Sequence, residues 1–324
     1  MATSASRTKF KDIINTGFGA NTNAEGGRLV NPDGSNNLKK TGMPLYERIS
    51  IYHTLLRMSR FKFMIAILFF YTSINLFFAF IYFAIGVNHL SGIDINHPIW
   101  MRFVEAFFFS SQTLTTVGYG HVAPSGLLTN FVASTESLLG ILAFAVVTGL
   151  IYGRFSRPKA YLLFSKNMLI APYRGSKALM IRLATYKNNH LTDAEAQLTV
   201  AMHVMEDGKK ITRFYQLPLE ISRVTSLALS WTVVHPINED SPLANLTEEQ
   251  MNEAKLEIIL SIKAFDDHFS NTVQQRTSYS HNQLVYGARF LPMFDRAREG
   301  AYTILELDKI NHHEKVVIVE DVTG

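Results

Sequence analysis

A membrane α region with two transmembrane helices, followed by an all-β soluble domain, is the architecture this sequence predicts. Two apolar runs, residues 61–86 and 127–153, each exceed the roughly 20 residues needed to cross a bilayer. After Pro158 the texture changes to short alternating runs separated by turns, the pattern of a β-sandwich.

Residues 1–43 are rich in Gly, Asn, Ser and Thr, with few large apolar side chains beyond Phe10, Ile13, Ile14, Phe18 and Leu29-Val30, and read as a mobile tail. Pro44 can open a helix. Over residues 44–60, Leu45, Ile49, Tyr52, Leu55 and Leu56 share one face while Glu47, Arg48 and Arg57 fall elsewhere. An amphipathic helix just before a span is expected to lie along the interface as a slide helix.

The pore region is expected over 61–157. In its first run only Thr72, Ser73 and Asn75 are strongly polar after Lys62; in the second the one charge is Glu136. An ionisable group at that depth is costly unless it faces protein or water, so Glu136 should point inward. Arg48, Arg57, Arg60 and Lys62 flank the first run, and Arg154, Arg157, Lys159 and Lys166 follow the second. The positive-inside rule then places both termini in the cytoplasm. Residues 103–113 (FVEAFFFSSQT) are apolar but too short to cross, which fits a re-entrant pore helix.

In the soluble domain, 158–324, strands are expected over 180–184, 196–205, 211–217, 227–234, 257–265, 285–290 and 315–319. Asp207-Gly208 between two of them signals a hairpin. Residues 246–255 suit a short helix with Thr247 near its start.

Composition excludes several function classes. The chain has 324 residues, a net charge of +4 that is too small to argue for nucleic acid, and no cysteine for thiol or cysteine-zinc chemistry. The first apolar run starts too far in, and is too long, for a cleaved signal peptide. No Walker, HExxH, GxSxG or EF-hand pattern occurs, no internal repeat is visible, and His312-His313 reads as a solvated turn, so neither an enzyme nor an organic cofactor is expected.

Between the apolar runs stands Thr115-Thr116-Val117-Gly118-Tyr119-Gly120. The string matches the TVGYG loop of potassium channels, whose backbone carbonyls replace the water around a potassium ion. Gly118 and Gly120 can take positive φ and let successive carbonyls turn one way. Thr116 adds a hydroxyl, and Val117 and Tyr119 are expected to brace the loop against the pore helix. K+ coordination is therefore assigned to Thr116, Val117, Gly118, Tyr119 and Gly120. One chain carries one such loop, so a coordinating ring requires a homotetramer. A carrier subunit would need several loops per chain. Two spans without an Arg-rich repeat leave no voltage sensor.

With two spans, this loop and a β-rich tail, the chain resembles the inward-rectifier potassium channels of the prokaryotic KirBac type. Residues 230–242 (SWTVVHPINEDSP) resemble the family's H-x-I-(D/N)-x-x-S-P turn, 180–193 (MIRLATYKNNHLTD) another strand and loop, and 278–290 the approach to a cytoplasmic G-loop. The resemblance implies an immunoglobulin-like sandwich, a homotetramer in a bacterial inner membrane, and a cytoplasmic pore continuing the membrane pore. It assigns Gly140 as an inner-helix hinge, Tyr152 as a helix-crossing gate, and Gly287 within the G-loop 287–294 as a second constriction. Asp193 would line the cytoplasmic pore. Arg60, Lys62, Arg154, Arg157 and Lys159 match positions that contact anionic phospholipid. Mg2+, Ba2+ and polyamines are the blockers it implies. Three features depart from the strongly rectifying animal members: Phe144 and Gln283 replace acids, and Gln112 and Val122 replace a salt-bridged pair behind the filter. Weak rectification is the expectation. His121 at the outer mouth reads as a solvated histidine.

Overall fold

The computed structural model describes residues 28–44, 50–156, 158–206, 209–244, 246–296 and 303–318. The expectations placed on Phe10 to Phe18, Leu45 to Ile49, Arg157 and the Asp207-Gly208 turn lie outside them. The chain divides into two units, Thr41–Arg157 and Met1–Lys40 with Pro158–Gly324.

In the first unit, α1 (Ile51–Arg57) is capped by Ser50, whose hydroxyl accepts from the His53 amide at 3.3 Å. The helix ends at Met58, and Ser59 caps α2 (Arg60–Ile85). The α3 helix (Ile99–Leu114) starts four residues before the apolar stretch read from sequence. The last helix is α4 (Leu127–Phe155). At 1.5 Å per residue, α2 and α4 are about 40 Å long, enough to cross a bilayer core with tilt. Their large apolar side chains stay exposed, among them Leu68, Phe69, Phe77, Leu138 and Ile141. A core helix of a water-soluble protein would bury these residues, so the exposed faces require lipid or further copies of the chain. Leu90–Ser91 and Ala123–Pro124 pair antiparallel and close the segments at the far ends of the two long helices.

The second unit is a β-sandwich. Its strands are β1 (Leu162–Phe164), β2 (Met168–Tyr173), β3 (Ser176–Thr185), β4 (Leu191–Glu206), β5 (Lys209–Leu217), β6 (Arg223–Ser226), β7 (Ser230–Ile237), β8 (Glu257–Asp266), β9 (Asn271–Ser280) and β10 (Leu284–Tyr286). One five-stranded sheet runs β9-β8-β4-β5 with β6 also on β4; the other runs β10-β2-β3-β1 with β7 also on β3. All pairs are antiparallel except β10 with β2. The faces between them bury Ile170, Ile181, Leu183, Leu198, Val200, Trp231, Ile258 and Leu260 in one core. The short helix α5 (Glu248–Glu253) carries a complete capping box from Thr247 and Gln250.

Four of these strands, β1, β2, β6 and β9, escape the sequence reading. The strands β1 and β2 sit in a run whose inward and outward faces are both apolar or half-buried, so no alternation marks them. The polar strand β9 (NTVQQRTSYS) is pinned by full pairing with β8 and by only a few buried side chains, Val273 and Tyr279 chief among them.

The reading of a mobile tail through residue 43 also fails for residues 28–37. Leu29 and Val30 are buried against Ala201, Phe214 and Ile259. The buried Glu257 carboxylate accepts from the Leu29 and Val30 amides at 2.8 and 3.1 Å. Ser278 donates to the Val30 carbonyl, and Thr277 to that of Pro32 at 3.0 Å. Two apolar side chains and a buried carboxylate outweigh the polar composition around them.

The H-x-I-N-x-x-S-P turn has a structural basis. His235 is fully buried, with Nδ1 2.7 Å from the Pro218 carbonyl and Nε2 2.8 Å from the Ser241 hydroxyl. A carbonyl can only accept, so Nδ1 carries the proton and Nε2 accepts from Ser241. Burial pushes the His235 pKa below its ordinary value of 6.5. The unfolded chain therefore takes up a proton as pH falls through about 6.5 while the folded domain resists it. We predict that this stability, fully present above that pH, is lost as pH falls below it. His235→Gln should flatten the pH dependence of unfolding by urea; an unchanged slope would contradict this role.

Candidate functional site

Residues 115–120 leave the end of α3 as a loop whose backbone hand alternates. Thr116, Gly118 and Gly120 have φ of 59, 54 and 82°. In an ordinary extended strand successive carbonyls point to opposite sides. Alternating left-handed and right-handed residues cancels that alternation, so successive carbonyls face one way. The two glycines take this conformation without a Cβ penalty, whereas Thr116 bears roughly 1–2 kcal/mol of strain. The need for positive φ at a threonine is invisible in the sequence.

The loop is tied to the end of α3. The Gln112 carbonyl accepts from both the Val117 and Gly118 amides, at 2.9 and 3.3 Å, and the Thr113 carbonyl from the Thr116 amide at 3.0 Å. The negative end of the α3 dipole thus lies at the base of the loop. The expected bracing by Val117 and Tyr119 is not made by the chain's own pore helix. Both side chains are exposed, at 53% and 78%.

Behind α3 sits the buried Glu136. Tyr82 of α2 donates to one carboxylate oxygen at 2.6 Å and Ser110 of α3 to the other at 2.5 Å. Asn75 lies 3.2 Å from the Ser110 hydroxyl and donates to the Tyr71 carbonyl at 2.7 Å. One carboxylate therefore joins both long helices to the helix that carries the loop. The inward orientation was legible from the sequence; its partners were not. Val122 packs against the apolar cluster that includes Tyr82 and Leu90.

Gly140 faces the same helix end. A Cβ added there would lie 1.9 Å from the Leu114 carbonyl oxygen, so the glycine permits a backbone contact between α4 and α3. The α4 helix runs unbroken through it. Below the loop lies a space of about 450 Å³, bordered by Thr115, Thr116, Ile141, Phe144 and Tyr71. Phe144, the residue read as replacing an acid, borders this space. Tyr152 is exposed near the end of α4.

The five basic lipid candidates separate. Arg60, Lys62 and Lys159 are exposed, and Arg157 is outside the described residues. Arg154 is half-buried, and its guanidinium donates to the Leu55 and Met58 carbonyls at 2.5 and 2.7 Å. Two of its five N–H donors are thus engaged within the protein.

In the sandwich, Asp193 sits in a β-bulge, where the β8 register slips between Lys263 and Phe265, with φ of 47°. Its exposed carboxylate is paired with Arg223 at 3.1 Å. Gly287 has φ of 67°; its amide donates to Ile170 at 3.0 Å and its carbonyl accepts from Val316 at 2.8 Å. The following segment is held by buried Arg182, which donates to the Leu291 carbonyl at 2.6 Å and stacks 4.4 Å over Phe290. Burial lowers the Arg182 pKa to about 10, which leaves it charged at neutral pH. Gln283 is engaged as a structural residue: its side chain accepts from Arg28 and donates to the Lys166 carbonyl at 2.9 Å.

Comparison with known proteins yields two family matches. Residues 162–322 match the inward rectifier potassium channel C-terminal domain, and residues 50–157 match the ion channel family. The chain is 35% identical over 275 residues to the inward rectifier potassium channel Kirbac3.1 of Paramagnetospirillum magnetotacticum, covering 84% of this chain and 91% of that protein. It is 26% identical over 264 residues to the human G protein-activated inward rectifier potassium channel 2, covering 75% of this chain and 61% of that protein. Identity to the chicken ATP-sensitive inward rectifier potassium channel 12 is 30% over 203 residues, or 59% of this chain and 47% of that one.

We predict that Gly140→Ala separates the two α helices it touches and costs about 1–3 kcal/mol, the usual range for overpacking. Gly149→Ala, where a Cβ meets nothing of the same chain within 4 Å, is the control. Thermal unfolding of the detergent-purified variants should show a lower midpoint for the first only. Equal midpoints would show that the close approach is not needed.

Proposed function

The chain belongs to the inward-rectifier potassium channel family, and we propose that it forms a homotetrameric, passive potassium channel gated from the cytoplasmic side. The alternating backbone hand at Thr116, Gly118 and Gly120 carries this reading. Four such loops around one axis would stack rings of carbonyl oxygens, with the Thr116 hydroxyls at the base, and substitute for the hydration shell of K+. The exposed Val117 and Tyr119 supply the surface on which neighbouring copies would close the ring. The positive flanks support a cytoplasmic position for both termini, and the likeness to a bacterial channel supports a bacterial inner membrane.

Gating is assigned to the Tyr152 rings and to the segment at Gly287. A ring of aromatic side chains can close a narrow path by excluding water. The exposed Tyr152 is free to form such a ring, and the positive φ of Gly287 fits a tight constriction. Gly140 contributes through its contact with Leu114, which links α4 to the base of the filter. Asp193 is assigned to the cytoplasmic pore lining, with its charge partly offset by Arg223. Exposed Arg60, Lys62 and Lys159 are available for anionic lipid, each worth about 1 kcal/mol near an anionic surface. Weak rectification rests on Phe144, which offers no charge beneath the filter.

Reconstituted protein should pass Rb+ into liposomes at channel rates, with external Ba2+ abolishing the flux. Saturable slow turnover would point to a carrier, and no flux to a membrane-anchored binding module. Gly118→Ala forces a side chain into φ of 54°, and its K+ over Na+ selectivity should fall at least about tenfold, a strain of 1–2 kcal/mol. In excised patches, internal spermine at micromolar levels should leave outward current largely intact. Steep block would contradict the role given to Phe144.

A further inference from the structure

At the junction of α1 and α2 the chain turns a corner, and the side chain that fills it comes from neither helix. The last carbonyls of any helix lack intrahelical partners, and α1, with seven residues, is too short to hold itself together. The Leu55 carbonyl belongs to its last turn, and Met58 is the residue at which the helix ends. Both carbonyls are taken by Arg154 from the last turn of α4, at 2.5 and 2.7 Å. The same guanidinium lies 4.4 Å over the ring of Phe63, in the first turn of α2. Leu56, Phe63 and Leu150 form the apolar seam around it.

We propose that Arg154 is a positioning residue: one guanidinium caps α1, stacks on α2 and thereby fixes both to the end of α4 that carries Tyr152. Three properties of the site require arginine. A cation is favoured at the C-terminal end of a helix dipole. Two carbonyls of different residues need donors fixed in a planar fork. A flat cation can stack on an aromatic face while its edges donate. Lysine keeps the charge and loses the fork and the plane. Two of the Arg154 donors and one face of its plane are already committed to the protein, whereas Arg60 and Lys62 are exposed. Arg154 therefore serves the junction, and movement of the interfacial helix is transmitted through it to the inner helix.

Amide exchange by mass spectrometry on the full assembled protein tests this, in vesicles of phosphatidylcholine alone and of phosphatidylcholine with phosphatidylglycerol. Arg154→Gln and Arg154→Lys should each speed exchange of the amides at 54–58 by about tenfold or more, in both vesicle types, because the capping bonds to a charged donor are lost. Lys62→Gln should leave that exchange unchanged. If the glutamine variant fails to assemble, the lysine variant carries the test. Wild-type exchange in Arg154→Lys would overturn the proposal, since charge alone would then suffice. So would a change confined to vesicles containing phosphatidylglycerol, which would make Arg154 a lipid contact. The readout does not depend on ion flux, so its failure is distinct from a failure of conduction.

Discussion

Residues 115–120 turn successive carbonyls one way by alternating the hand of the backbone, and the K+ coordination proposed for them depends on that constraint. Each left-handed residue, Thr116, Gly118 and Gly120, reverses the turn that the next would make. A loop in that conformation has few internal hydrogen bonds and could not hold itself. Its amides are instead collected by the Gln112 and Thr113 carbonyls at the end of α3. The strain at Thr116 persists because this anchoring leaves it no alternative.

Everything around α3 keeps that helix end where it is. Glu136 is costly to bury, and it is tolerated because Tyr82 and Ser110 satisfy its oxygens from two other helices. Removing any one member would leave a buried polar group without a partner, so the network specifies one arrangement. Gly140 acts through absence: without a Cβ, α4 reaches the Leu114 backbone. At the opposite end of α4, Arg154 performs the matching task for α1 and α2. The inner helix is thus fixed at two points, near the filter and near the interfacial helix, with Tyr152 beside the second.

Features that depend on local sequence were legible. The two spans follow from unbroken apolar runs, the positive φ of Gly118 and Gly120 from their residue type, and the inward-facing Glu136 from the cost of a charge in lipid. Most sandwich strands follow from alternation. Features that depend on distant partners were not. Nothing near Leu29-Val30 announces that Glu257 will take their amides. The polar strand β9 is set by pairing with β8 rather than by its own composition. Arg154 carries the residue type of a lipid contact and Gln283 stands at a pore position where relatives have an acid, yet the side chains of both are bonded to distant parts of the chain. Val117 and Tyr119 mark the converse case, since their exposure in one chain points to a surface that a single sequence cannot describe.

The most direct measurement is anomalous scattering from crystals of the assembled protein soaked in thallium or rubidium salts. The account predicts scattering peaks on a fourfold axis, stacked between the carbonyl rings of Thr116, Val117, Gly118 and Tyr119. Carbonyls turned away from the axis, or an axis without ions at that level, would contradict it.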